Sequence, residues 1–337
     1  IILMGGVGCG SSPTEQVTAE VDEEFERMNR VARTAFDHGR FRQAADLYNQ
    51  ALERAYVLDD VDAIVDSQYN LAVCLTGMKS YVEALERVNQ SKAELARTNQ
   101  SIPADILLLE ATIGYRMGKL EDAWQLTDKI LLDPSGLSEV IQSKTHFLRG
   151  LIVSEWDDTN QLRHEIASLG EPSTAGLRAD REELVGRLAL AESAWNEAVE
   201  AFDRTAEFRR DDFDYSEMVN ALALAAWACE QAGQLSEASK RYLRAGRSAA
   251  RQGDNRDALN WLNRAEKLAG EAQALEARRA EAEAAAEAIR VEASELREAA
   301  ATELEPLRRP TLTRIADPRS ESRRFWDWAC AWGPQPI

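Results

Sequence analysis

The glycine-rich start of the chain is the first stretch whose residue types could do chemistry. Gly5, four further residues and then Gly10-Ser11-Ser12 have the spacing of a loop that cradles phosphate groups with backbone amides. Ser11 stands where such a loop needs a lysine to reach the β- and γ-phosphates, and no alternation of strand and helix patterns follows to supply a sheet. A nucleotide-binding enzyme is therefore the weakest of the interpretations that we consider.

The histidines and cysteines give no support for metal or nucleophile chemistry. They are His38, His146, His164, Cys9, Cys74, Cys229 and Cys330. No two of them have the spacing of zinc ligands, and the catalytic motifs HExxH and GxSxG are absent. Cys74 and Cys229 lie on apolar helical faces, where free cysteine behaves as a small buried hydrophobe. We therefore predict no catalytic residue, no cofactor and no metal site.

The first thirteen residues have a second interpretation, which is a processing signal. An apolar run leads into small residues, then Cys9, then a Gly/Ser/Pro linker. Val7-Gly8-Cys9 resembles the lipobox of bacterial lipoproteins, although Gly6 stands where that family usually has leucine. The resemblance implies that Cys9 is acylated and that residues 1–20 are a signal remnant and a flexible tether. The expected location is then the bacterial cell envelope, on the outer membrane or its periplasmic face.

The composition indicates a helix-rich chain that repels nucleic acid. Of 337 residues only 18 are Gly and 9 are Pro, which favours long uninterrupted helices. A formal net charge of −18 opposes binding to phosphate backbones, so we expect no nucleic-acid partner. The sequence contains no run of about 18 apolar residues, so we predict no complete transmembrane helix.

A pattern of small and aromatic residues recurs along two thirds of the chain. In its first copy a glycine at a turn, Gly39, precedes Phe41, Ala44, Tyr48 and Ala51 at helical spacing. The equivalents of Ala44 are Ala84, Ala123, Ala198 and Ala238, at intervals of about 40 residues with one degenerate copy in the longest gap. Small residues at these sites let paired helices approach closely, and large residues fill the space between pairs. The pattern predicts stacked helical hairpins.

This arrangement resembles the tetratricopeptide repeat, whose fold is an all-α superhelical solenoid. The positions that match its signature are Ala32, Gly39, Phe41, Ala44, Tyr48, Ala51, Ala72, Ala84, Ala111, Gly118, Ala123, Gly150, Gly186, Ala198, Phe202, Ala226, Gly233, Ala238, Tyr242, Gly253 and Ala258. We predict about six to seven such hairpins over residues 21–269. The period of 36 to 40 residues exceeds the usual 34 or so, which indicates longer helices or loops.

The C-terminal part has a different composition. Residues 270–305 are rich in Ala, Glu and Arg without Gly or Pro after Gly270, which predicts one long helix. Leu275, Ala282, Ile289 and Leu296 recur every seventh residue, compatible either with a coiled coil or with a lone solvated helix. Residues 306–337 predict a disordered tail. Its tryptophan-rich end is either a docking segment for a membrane or a protein groove, or a segment without function.

Taken together, the sequence predicts a non-enzymatic scaffold. The resemblance implies that a protein or peptide partner of unknown identity binds in the groove of the solenoid, with a membrane anchor at Cys9. A cytoplasmic adaptor or regulator without a lipid anchor is the alternative. The oligomeric state, the partner and the groove residues do not follow from the sequence.

Overall fold

The computed structural model describes residues 22–276 and 280–302, and this part of the chain is built from α-helices. Their bounds are α1 Glu23–Asp37, α2 Phe41–Leu58, α3 Val61–Gly77, α4 Tyr81–Arg97, α5 Ala104–Arg116, α6 Leu120–Leu131, α7 Glu139–Glu155, α8 Thr159–Ser168, α9 Ala175–Ala191, α10 Trp195–Asp211, α11 Tyr215–Gln231, α12 Leu235–Gln252, α13 Asn255–Glu276 and α14 Ala280–Thr302. One 3-10 turn, Pro134–Gly136, precedes α7. Consecutive helices pair into seven hairpins, within the range that the sequence predicted.

The same turn closes each of the first six hairpins. Its central residue has a positive φ in every copy, at Gly39, Lys79, Gly118, Asp157, Ser193 and Gly233. The amide of the following residue donates to a carbonyl five residues back, as from Ser80 to Leu75 at 2.9 Å, which is the Schellman ending of a helix. The predicted turn glycines thus occupy left-handed positions, and three other copies adopt the same backbone without glycine.

Polar caps start most of the first helices of the hairpins. The side chains of Asp22, Asp60, Ser138, Thr174 and Asp214 each accept a hydrogen bond from the amide three residues on. These bonds satisfy amides that have no partner within the helix. Pro103 precedes α5, where its missing amide hydrogen is not needed.

The signature residues pack where helices approach most closely. All eleven signature alanines, from Ala32 to Ala258, have no accessible surface. Gly150 and Gly186 are buried too, and a Cβ on Gly186 would meet the Phe202 ring at 2.7 Å. Phe41 is half-buried and its ring centroid lies 5.2 Å from that of Phe36. Ala258 lies near the start of α13, the first helix of the seventh hairpin.

First and second helices differ in how they are covered. No residue of α5 is exposed, and in α9 only Arg178 and Ala191 are. By contrast, every turn of α2 carries exposed residues. The first helices therefore line the inside of the solenoid and the second helices form its outside.

The predicted single helix over residues 270–305 is wrong. The chain forms α13 and α14, and α14 packs antiparallel on α13, because Arg297 Nη1 lies 2.6 Å from Glu266 Oε2 while Arg290 lies beside Gly270. Ile289 is buried and Leu296 packs against the same core. The two described residues of the heptad seam, Ile289 and Leu296, thus pack within the seventh hairpin, and α14 is not a lone solvated helix. A long C-terminal helix remains, α14 with 23 residues.

The array curves until distant hairpins meet. Lys79 in the second hairpin lies 3.7 Å from the carboxylate of Asp257 in the seventh, measured from Nζ to Oδ2. In a straight stack each hairpin would contact only its neighbours. In the helices that the structure describes, none is long and apolar enough to cross a membrane.

Candidate functional site

Four first helices, α5, α7, α9 and α11, and the second helix α10 bring a set of polar side chains together along the axis of the solenoid. We call this set the axial cluster. It consists of Tyr115 and Arg116 of α5, Lys144 of α7, Asp180, Glu183 and Arg187 of α9, Arg209 of α10, and Asp214 and Glu217 at the start of α11. Solvent reaches the cluster at Tyr115, Arg116 and Asp214, which are partly exposed, while the other members are buried.

The centre of the axial cluster is a chain of alternating charges. Lys144 Nζ lies 2.7 Å from Asp180 Oδ2, and Arg209 Nη2 lies 2.7 Å from Asp180 Oδ1. Arg209 also lies 3.8 Å from Glu183, whose Oε1 is 3.0 Å from Arg187 Nη2. Buried ions are tolerated when each has a partner at close range, and this chain provides one for every member.

A second branch connects the cluster to α5. The Tyr115 hydroxyl lies 3.4 Å from Glu155 Oε1, and Arg187 Nη1 lies 3.9 Å from the same atom. Burial raises the pKa of Tyr115 to about 12, so its hydroxyl stays protonated and can donate. Helices α5, α7 and α9 are thereby linked through side chains that face inward.

Arg116 extends the cluster across the axis to the sixth hairpin. Burial lowers the pKa of Arg116, and the charge that opposes this effect most is the carboxylate of Glu217 on α11. Tyr81 of α4 also acts on Arg116. The charge of Glu217 thus acts on Arg116 although the two residues belong to the sixth and the third hairpin.

His146 connects the two helices of the fourth hairpin. His146 Nδ1 lies 2.7 Å from Glu165 Oε2, and Glu165 also accepts from Arg149 Nε at 3.0 Å. Burial would raise the pKa of Glu165, but its hydrogen bonds to His146 and Arg149 leave it lowered. This cluster ties α7 to α8. Within the described residues, no group of three or more His, Cys, Asp or Glu side chains is placed to hold a metal ion.

The residues singled out from the sequence and the axial cluster are different sets. The signature alanines and glycines pack helices together and supply no polar group, while Cys9 lies outside the described residues. The cluster escaped prediction because its charges look like surface charges in a chain rich in carboxylates. One signal was available: Asp180, Glu183 and Arg187 share a face of α9 at spacings of three and four residues.

Comparison with family models gives no match, and comparison with curated proteins gives no significant match. Among solved structures, the Rap protein complexed with Competence and Sporulation Factor is similar, with a TM-score of 0.51 and 15% sequence identity. The match covers 83% of this chain and 95% of that chain. The apo form of RapI also has a TM-score of 0.51, at 12% identity, with 82% of this chain and 79% of that chain covered.

A tetratricopeptide repeat protein from Parabacteroides merdae matches with a TM-score of 0.43 and 14% identity, covering 82% of this chain and 99% of that chain. At these identities the comparisons bear on the fold alone. Seven helical hairpins, the buried small residues at their contacts and the similarity to solved solenoids lead to one conclusion. The chain folds as an all-α superhelical solenoid of helical hairpins that resemble tetratricopeptide repeats.

Proposed function

We propose that this chain is a non-enzymatic scaffold that binds an extended segment of a protein or peptide partner along its axis. The observation that carries the proposal is the convergence of polar side chains from α5, α9 and α11 in the axial cluster, which solvent reaches at Tyr115, Arg116 and Asp214. An extended chain needs hydrogen-bonding and charged groups on several sides, and the axial cluster offers them.

The similar Rap structure contains the Competence and Sporulation Factor as its partner. That observation concerns the Rap protein, and for the present chain it supports only the general idea that a solenoid of this shape can hold a ligand. The axial cluster supplies the specific argument, because three of its members, Tyr115, Arg116 and Asp214, are partly accessible to solvent.

Site-specific photo-crosslinking tests the proposed function. A photoreactive amino acid replaces Tyr115 in the axial cluster or, as the matched control, Glu53 on the exposed face of α2. We expect adducts with a peptide or protein from the native host at position 115 but not at position 53. Equal adducts at both positions, or none at position 115, would contradict binding along the axis.

We further propose that the scaffold is tethered in a bacterial envelope through a lipid on Cys9. The support is the run of residue types at Val7-Gly8-Cys9 and the linker that follows. Membrane fractionation of the full chain and its Cys9→Ser variant in a bacterial host tests this location. Release of the variant from membranes would support the anchor. Two soluble forms would favour the alternative, a cytoplasmic adaptor.

A further inference from the structure

Two carboxyl groups at the start of α11 lie apart from the ion-pair chain of the axial cluster. Asp214 caps the helix, with its Oδ1 accepting from the Glu217 amide at 3.1 Å. Its Oδ2 atom is buried and has no hydrogen-bond partner. A buried acceptor without a partner is uncommon, because its desolvation is not offset by a new bond.

Glu217 lies beside Asp214 and is only 2% exposed. Its Oε1 accepts from Asn220 Nδ2 at 3.0 Å. Among the side chains that the structure describes, no Lys or Arg nitrogen comes within 4 Å of this carboxyl, although such pairs are formed by the other buried acids of the cluster. Glu217 is therefore a nine-tenths buried carboxyl that has no cation in contact with it.

The cations nearest in the cluster are engaged elsewhere. Lys144 and Arg209 both contact Asp180 at 2.7 Å, and Arg187 contacts Glu183 at 3.0 Å. The charges that act on the two α11 carboxyls come from Arg209 and Asp212 of α10, Lys144 of α7, Arg116 of α5 and Glu183 of α9. Positive charge thus surrounds the pair at a distance without neutralising it by contact.

Burial is the main reason why the pKa values of both groups are raised. The pKa of Asp214 is raised to about 6, and that of Glu217 is raised well above its ordinary value by burial and by the charge of Asp214. Protonation is one way to tolerate carboxyls that lack a cation. A cation supplied from outside is the other.

We propose that Asp214 and Glu217 accept the side-chain cation of a lysine or arginine in an extended peptide that enters along the axis. This inference rests on the proposed function and names the partner's chemistry. The peptide is a basic segment, which agrees with the net charge of −18 of the chain.

Fluorescence anisotropy with short labelled peptides tests the inference. The probes share a Gly/Ser background and carry several arginines, several glutamines or several glutamates. Full-length protein should bind the arginine peptide in preference to both others. The Glu217→Gln variant should weaken that binding by about tenfold or more, because a charge-assisted hydrogen bond is lost. Asp214→Asn, which keeps the helix cap, should weaken it likewise.

The control variant is Glu207→Gln. Glu207 lies exposed on α10, and its replacement removes the same formal charge. An equal loss of binding in this control would show that only the overall negative field attracts the peptide, and would overturn the inference. Circular dichroism of all three variants establishes that the fold is retained. Gln resembles the protonated form of Glu217, so we expect retention.

Proton release provides a second readout. A cation beside the carboxyls lowers their pKa values, so binding near pH 6, where Asp214 titrates, should release protons. Calorimetry in buffers of different ionisation enthalpy measures this release, which should shrink in Glu217→Gln. No release in the unmodified protein would overturn the inference.

The outcomes separate the inference from the proposed function. Crosslinks from position 115 to a partner, without a preference for the arginine peptide, would support the proposed scaffold function. The same result would contradict the inference that the partner is a basic peptide. Tighter peptide binding after substitution of both Arg323→Gln and Arg324→Gln would identify the chain's own tail as the occupant. This result would contradict the inference that a separate peptide binds there.

Discussion

The guanidinium of Arg209 and the carboxylate of Asp180 form an ion pair of 2.7 Å between neighbouring helices, and neither side chain has any exposed surface. Arg209 Nη1 also lies 3.5 Å from the Gly176 carbonyl. Asp180 in turn contacts Lys144 of α7. One buried carboxylate therefore joins three helices, α7, α9 and α10.

Removing Arg209 should destabilise the solenoid strongly. In Arg209→Met the carboxylates of Asp180 and Glu183 lose a buried cation, and breaking such a pair costs about 3–5 kcal/mol. Urea denaturation followed by circular dichroism measures the loss. The matched control is Lys240→Met, because Lys240 pairs with Glu237 on the outside and both are about half exposed. We expect a cost below about 1 kcal/mol there. Similar losses for both variants would contradict the structural role of the inner pair.

Two helical glycines should respond to alanine in opposite directions. A Cβ on Gly186 would lie 2.7 Å from the Phe202 ring, which is itself fully buried, so Gly186→Ala should cost about 1–3 kcal/mol through overpacking. A Cβ on Gly114 would meet its nearest neighbour at 3.7 Å, an ordinary contact. Gly114→Ala should therefore stabilise by about 0.5–1 kcal/mol, because alanine favours the helix. Thermal unfolding of the two variants measures both, and a stabilising Gly186→Ala would contradict the close contact.

These small residues also explain how far sequence reasoning reached. Ala44 and its equivalents predict the hairpins, because only small residues fit where two helices pack closely. This requirement for small residues is visible in the sequence. The packing of Ile289 was harder to predict. The residues around it in sequence favour a helix throughout, so they do not show where the chain reverses onto α13. Glu217 was not predicted, because the residue type alone does not distinguish a buried carboxyl from a solvated one. Its pKa is influenced by Arg116 of α5, about a hundred residues away in sequence.

The two internal thiols should be unreactive in the folded protein. Cys74 and Cys229 have no exposed surface, and neither forms a disulfide. Burial raises the pKa of Cys74 to about 12 and also raises that of Cys229. At pH 8 only about one Cys74 thiol in ten thousand is then ionised. In a variant with Cys9→Ser and Cys330→Ser, a colour reaction with a thiol reagent should be slow until urea unfolds the chain. Rapid reaction without urea would contradict the packing of α3 and α11.

Replacement of Glu217 by Gln should change how stability depends on pH. The folded protein holds the Glu217 proton to a higher pH than the unfolded chain does, because burial raises the pKa in the folded state. Between these two pKa values the folded state binds more protons, so its stability falls as the pH rises, by about 1.4 kcal/mol for each unit of raised pKa. Gln does not titrate, and the variant should therefore gain stability relative to the unmodified protein from about pH 4.5 upwards. Unfolding by urea at several pH values measures the difference, with Glu207→Gln as the exposed control, for which the difference should stay flat. A Glu217→Gln difference that does not grow with pH would mean that Glu217 is ionised in the folded protein, and that a cation already neutralises it.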